Sequence, residues 1–264
     1  MNILNAILLG LVQGLTEFLP VSSSGHLVVA ETLLGVAPPG LVVEVALHVA
    51  TLFSVLLVYR RRFVELAIGA VRRDTGALAY IGLLALASIP AAIVGLGFED
   101  FFERVFDTPP VTGFMLLVTG GLLWSTRYAR RRECNGRIGW SCALFIGVAQ
   151  ACAIFPGISR SGATITAGLW KRIDAERAAE FSFLMSVPAI AGAALLQVGE
   201  IGASITAVDA LPLAVAFLTS LVSGIAAIIG LLWFLRHQAF HAFAYYVWIV
   251  GALFLAFLWM RGGL

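Results

Sequence analysis

Arg160 lies in Phe155-Pro156-Gly157-Ile158-Ser159-Arg160-Ser161-Gly162-Ala163-Thr164, between two stretches apolar enough to sit in a membrane. A guanidinium there is costly to bury, and charges at membrane depth mark functional sites. Its planar fork of donors matches phosphate oxygens two at a time. Ser159, Ser161 and Thr164 add hydroxyls, and Gly157 and Gly162 let backbone N–H groups come close to an anion. The three hydroxyls also stand where a helix restarts, so helix capping is an equal reading. The two readings are compatible, because a helix N-terminus is itself an anion site.

A second island runs Glu17-Phe18-Leu19-Pro20-Val21-Ser22-Ser23-Ser24-Gly25-His26. Glu17 follows Gln13 by one helical turn on the same face. Its carboxylate can hold a divalent metal or act as a base, or pair with Arg160 for assembly alone. Gln13 can orient water, complete a metal shell or bond to backbone. Ser23 precedes His26 by three residues and becomes a nucleophile if the turn brings the two together. His26 can instead protonate a leaving group, and the plain alternative for Ser22, Ser23 and Ser24 is a turn. Glu44 and His48, one helical turn apart, read as an ion pair or interfacial anchor. If the islands meet, Glu17, His26 and Arg160 form one polar pocket suited to a phosphate ester or anhydride.

The elements that would position these groups are apolar helices. The chain is 60% hydrophobic and 12% charged over 264 residues, with mean hydropathy +0.97. That excludes an ordinary soluble domain and predicts an all-α polytopic membrane protein. Six stretches are long enough to span, at about 41–59, 77–97, 111–126, 181–198, 211–235 and 244–260. Residues 3–35 and 139–170 are each broken by an island into halves too short to cross, which predicts two re-entrant helical hairpins. No basic region precedes residues 3–12, so a signal peptide is not expected. Cys134, Cys142 and Cys152 read as free thiols, and the four scattered histidines argue against a zinc site.

Charge orients the spans. Fourteen of the 17 basic residues fall on one side, in the clusters Arg60 to Arg73, Arg127 to Arg137 and Lys171 to Arg177 and at Arg236. These face the cytoplasm by the positive-inside rule, with contact to anionic lipid as an addition. The hairpins then enter from opposite faces. Gly10-Leu11-Val12-Gln13 and Gly147-Val148-Ala149-Gln150 each begin a run that ends in Ser-x-Ser-Gly or Ser-Ser-Gly, with 15 positions from first to last glycine in both. The single membrane domain therefore reads as an inverted-topology repeat with halves at about 1–126 and 139–260. Ser88-Ile89-Pro90 and Ser186-Val187-Pro188 echo each other at non-equivalent places and predict helix kinks.

The runs from Gln13 to His26 and from Pro156 to Thr164 resemble the undecaprenyl-diphosphate phosphatases, the bacitracin-resistance family. The first matches that family's (Glu/Gln)-x-x-x-Glu motif and its Ser-Ser-x-Gly-His continuation, the second its Pro-Gly-x-Ser-Arg-Ser motif. Phe181 to Pro188 and Leu47-His48 with Thr51 are also similar to family segments, although Val49-Ala50 stands where Leu-Gly is expected. The resemblance implies a multi-pass enzyme of the bacterial inner membrane that hydrolyses undecaprenyl diphosphate to the monophosphate carrier of peptidoglycan synthesis and confers bacitracin resistance. It also implies a divalent metal, Mg2+ or Ca2+, with Glu17 and Gln13 as ligands, and a site reached from the outer face.

The expected roles are Arg160 on the phosphate charge, Ser23 in attack, Glu17 as metal ligand or base and His26 as acid–base partner. Gln13, Ser22, Ser24, Ser159, Ser161 and Thr164 complete the substrate cradle. Attack by metal-bound water is the alternative chemistry. The expected partners are the lipid diphosphate and membrane lipids, with no nucleic acid, and a homodimer is an open assembly. The rival function is a transporter or flippase of polyprenyl phosphate or another anion, since opposed hairpins occur there too. An acid-phosphatase-like reading fails because Thr166 stands where its second histidine is required.

Overall fold

A computed structural model describes residues 1–34, 40–129, 137–204 and 209–262. These form twelve α-helices and one short 3-10 turn, with no strand among the described residues. In order the helices are α1 (Ile3–Phe18), α2 (Ser23–Leu34), α3 (Leu41–Val58), α4 (Arg60–Val71), α5 (Thr75–Gly97) and α6 (Glu99–Phe106). They continue with α7 (Pro109–Ala129), α8 (Trp140–Cys152), α9 (Arg160–Trp170), α10 (Ala175–Ser204), α11 (Ala210–Arg236) and α12 (Phe243–Met260).

Among the described residues, five helical segments are long and apolar enough to cross a membrane, at Leu41–Val58, Thr75–Gly97, Ala175–Gln197, Ala210–Arg236 and Phe240–Met260. Large apolar side chains such as Leu195, Leu218, Ile229 and Leu253 point outward from them. Water would penalise such a surface, whereas acyl chains match it. The chain is an all-helical, multi-pass membrane protein.

The expected sixth span is α7, which has 21 residues but falls outside the apolar set. Its inward face explains why. Thr112, Thr119 and Thr126 recur every seven residues, and all three are buried beside Leu116 and Leu123. That polar stripe lowers the hydropathy of the helix and serves the protein interior.

Two stretches between the expected spans are helices. Arg60–Val71 forms α4, whose Arg62 donates to Glu180 at 3.0 Å, and the acidic stretch Glu99–Phe106 forms α6. Hydropathy read only for spans passes over short amphipathic helices of this kind. Pro90 and Pro188 lie inside α5 and α10, as the echoing Ser-x-Pro runs require. The arginines at 130–132 and Cys134 lie outside the described residues, while Cys142 and Cys152 are free thiols.

Both islands are breaks between short helices. Asn2 caps α1 through its side chain, and α1 ends at Leu19, whose extended conformation (ψ 145°) is the one a following proline demands. The chain then turns through Ser22, at φ +71°, into α2. In the second island α8 ends at Cys152. Gly157 turns at φ +98°, a conformation costly for any side chain, and Ser159 caps α9 by accepting from the Gly162 N–H.

The first arm of each island packs on a distant helix at backbone distance. A Cβ on Gly14 would lie 2.4 Å from the Ser220 carbonyl of α11, and one on Gly147 would lie 2.3 Å from the Ala87 carbonyl of α5. Gly10 presses on Ala216 of α11 in the same way. Gly10 and Gly147 are the matching first glycines of the two echoing runs. The apolar core lies beneath the tips, where Phe18, Val55, Leu123, Ile165, Phe183 and Ile228 are buried together.

These contacts predict a graded response to added methyl groups. Gly14→Ala and Gly147→Ala each lose roughly 1–3 kcal/mol through overpacking. Gly82→Ala, where a Cβ meets nothing within 4 Å, is neutral or gains up to about 1 kcal/mol from helix propensity. Melting temperatures in detergent check the order.

Candidate active site

The two island tips touch. A Cβ on Gly25 would lie 2.9 Å from the Gly157 Cα, so these glycines bring backbone against backbone. Ser161 on α9 donates across the junction to the Leu19 carbonyl at 3.2 Å. Thr119 of α7 holds the second tip from below, donating to the Gly157 carbonyl at 2.8 Å and accepting from the Ser159 N–H at 3.1 Å.

Between the tips, Arg160 Nη2 donates to Glu17 Oε1 in an ion pair whose side chains are 17% and 8% exposed. Glu17 Oε2 accepts from Ser23 Oγ at 2.8 Å and from Gln13 Nε2 at 3.2 Å. One carboxylate thus gathers three of the predicted site residues. Arg160 Nη1 is buried and has no hydrogen-bond partner among the described residues. A buried guanidinium nitrogen without a partner is expensive, so an acceptor that reached it would be held strongly.

His26 is held elsewhere. Its Nδ1 lies 2.8 Å from the Ser22 carbonyl and its Nε2 2.8 Å from the Tyr246 hydroxyl, with the two rings stacked 5.6 Å apart. A carbonyl only accepts, so the neutral ring carries its proton on Nδ1 and accepts from Tyr246 at Nε2. No lone pair is then left for the Ser23 hydroxyl. The sequence reading paired Ser23 with His26, whereas the structure pairs Ser23 with Glu17. Tyr246 was invisible to sequence reasoning because a tyrosine within an apolar span carries no positional signal.

The remaining cradle residues are placed as framework. Ser22 Oγ accepts from the Gly25 N–H at 3.2 Å and lies 3.4 Å from Ser24 Oγ. Ser159 Oγ caps α9 and lies 3.2 Å from Ser161 Oγ. Thr164 Oγ1 donates to the Arg160 carbonyl at 2.8 Å and lies 2.6 Å from Ser182 Oγ. Ser159, Ser161 and Thr164 are all buried, so these hydroxyls fix the backbone that carries Arg160. Glu44 and His48 reach the same region. His48 Nδ1 lies 2.9 Å from the Glu44 carbonyl, and both residues line a cavity of about 360 Å³ together with Glu17.

A hard divalent cation prefers oxygen ligands, and Glu17 and Gln13 carry them. Glu17 already accepts from Arg160, Ser23 and Gln13, while the Gln13 amide that donates through nitrogen still has its carbonyl oxygen to offer. No cluster of three or more His, Cys, Asp or Glu side chains fit for a metal occurs among the described residues. Glu17 and Gln13 are the oxygen donors that this carboxylate cluster could offer such a cation.

The family described as bacitracin resistance protein BacA matches residues 6–253. The chain belongs to this family. It is 46% identical to the undecaprenyl-diphosphatase of Syntrophotalea carbinolica, over 97% of this chain and 99% of that protein. It is 45% identical to the undecaprenyl-diphosphatase of Rubrobacter xylanophilus, over 98% and 99% of the two chains, and 39% identical to that of Desulforapulum autotrophicum, over 96% and 97%.

In this BacA chain the ion pair is also a stability element. Arg160→Ala strands the Glu17 carboxylate in a buried site and costs about 3–5 kcal/mol, and adding Glu17→Gln restores much of the loss. Thermal unfolding of the single and double variants in detergent measures the coupling; equal stability of the two would contradict it.

Proposed function

We propose that the protein hydrolyses undecaprenyl diphosphate to undecaprenyl phosphate and inorganic phosphate, recycling the lipid carrier for peptidoglycan synthesis and conferring bacitracin resistance. Membership of the BacA family and near-full-length similarity to undecaprenyl-diphosphatases support the substrate. The observation that carries the chemistry is the Ser23–Glu17–Arg160 constellation, with its unpartnered Arg160 Nη1.

The reaction follows from that geometry. The terminal phosphate takes Arg160, whose fork exchanges the Glu17 carboxylate for phosphate oxygens. Glu17, released by Arg160, keeps the hydrogen bond it accepts from Ser23 Oγ. Ser23 Oγ attacks the terminal phosphorus and passes its proton to Glu17 Oε2. The Oγ–P bond forms as the bond to the bridging oxygen breaks, and that oxygen leaves with the lipid monophosphate. Water then attacks the phosphoserine, releasing inorganic phosphate and restoring the Ser23 hydroxyl. His26 is a positioning residue that holds the Ser22 carbonyl and so sets the turn before Ser23. Glu17 and Gln13 would hold a divalent cation, which would supply neutralisation of phosphoryl charge.

In the membrane, the two islands with their short arms form re-entrant hairpins opposed within an inverted repeat, and α7 completes six spans. The matching close approaches of α1 to α11 and of α8 to α5 support that pairing, since each joins the first arm of one half to the corresponding helix of the other. The charge distribution supports basic loops in the cytoplasm, and the family resemblance supports a site reached from the outer face of the bacterial inner membrane. One chain completes the site, so a homodimer is not required for turnover.

Phosphate release from undecaprenyl diphosphate by purified protein in detergent tests the function, with a chelator expected to abolish it. Ser23→Ala and Arg160→Ala each lose at least about 10²–10³-fold in kcat. Movement of the lipid across vesicles without phosphate release would instead favour a transporter.

A further inference from the structure

A diphosphate carried on a long prenyl chain must bring its head to Glu17 while its tail stays in lipid, so the site needs an opening through which the two remain connected. Two openings are candidates. One is a groove of about 510 Å³ between α1 and α11, lined by Leu11, Leu15, Val222 and their neighbours. It is almost wholly apolar, and neither Glu17 nor Arg160 borders it. The other is the cavity of about 360 Å³ that Glu17 itself lines, between α3, α10 and the turn after α8.

The second cavity has two unlike walls. Glu17, Glu44 and His48 make one polar, and Ala189, Ile190, Ala193 and Ala194 of α10, with Gln197 one turn beyond, make the other largely apolar. Ala189 and Ala193, four residues apart on one helical face, are exposed where they line the cavity. The cavity lies between α3 and α10, both long and apolar enough to cross a membrane, so a mouth between them faces the acyl chains. Small side chains at both positions leave a gap where leucine or isoleucine would close it. An amphiphile fits such a space in one orientation, with its charged head on the polar wall and its first isoprene units against the alanines.

Resting on the phosphatase reading above, we infer that the cleft between α3 and α10 is the lateral portal of the lipid substrate. Ala189 and Ala193 set the room for the prenyl stem beside the diphosphate. They touch the part of the substrate that does not react, so filling the portal weakens binding and leaves the chemistry intact.

The test compares Ala193→Trp and Ala189→Leu with Val222→Trp, which fills the rival groove, on undecaprenyl diphosphate in detergent. Both alanine variants should raise KM about tenfold while kcat stays within about threefold, the pattern of lost uniform binding. Val222→Trp should leave both constants within about twofold of wild type. Gel filtration establishes that each variant is folded, and Ala189→Leu, the smaller change, carries the test if Ala193→Trp is not. An effect confined to Val222→Trp, or unchanged KM in a folded alanine variant, overturns the portal alone. Absence of turnover in wild type overturns the phosphatase reading and the portal with it.

Discussion

A charged pair buried between two breaks in apolar helices is the constraint around which the molecule is built. Glu17 and Arg160 are 143 residues apart, and each sits on a helix too short to cross a membrane. Either charge alone at that depth would cost several kcal/mol. Together they neutralise each other, but only if two tips of irregular backbone meet with their polar groups satisfied. Gly25 and Gly157 permit the contact, Ser161 bonds across it and Thr119 anchors it from α7. Of the polar stripe on α7, Thr119 serves this contact, bonding both Gly157 and Ser159.

The same pair links stability to function. A structural ion pair has every donor used, whereas here one guanidinium nitrogen is buried with no partner and the carboxylate also accepts from a serine and an amide. In the proposed reaction the arginine exchanges the carboxylate for phosphate oxygens as the carboxylate turns to the serine proton. Two opposite charges held at a distance from which each can serve the substrate give nucleophile activation and charge neutralisation together.

Much of this was legible in residue types. Arg160 and Glu17 stood out because charges are rare in apolar runs, and the Gly-x-x-Gln echo marked arms that pack at backbone distance. What escaped the sequence was pairing across long separations and the direction of side chains. Ser23 and His26 are neighbours in sequence, yet Tyr246, 220 residues after His26, takes the imidazole and leaves the serine to Glu17. Ser159, Ser161 and Thr164 have the composition of a phosphate cradle, but their hydroxyls turn into the protein to fix the arginine's backbone. Composition names the donors available, and only tertiary structure decides which of them face the ligand. The helices α4 and α6 escaped because hydropathy finds spans and passes over short amphipathic segments.

The central claim is that Glu17, not His26, activates Ser23 toward a phosphate held by Arg160. Acid quenching during turnover of undecaprenyl diphosphate labelled in its terminal phosphate tests this directly. The account predicts acid-stable label on Ser23, retained in a His26→Asn variant that still turns over and lost in Glu17→Gln. Turnover with no label on any serine, or label that depends on His26 and survives Glu17→Gln, would contradict it.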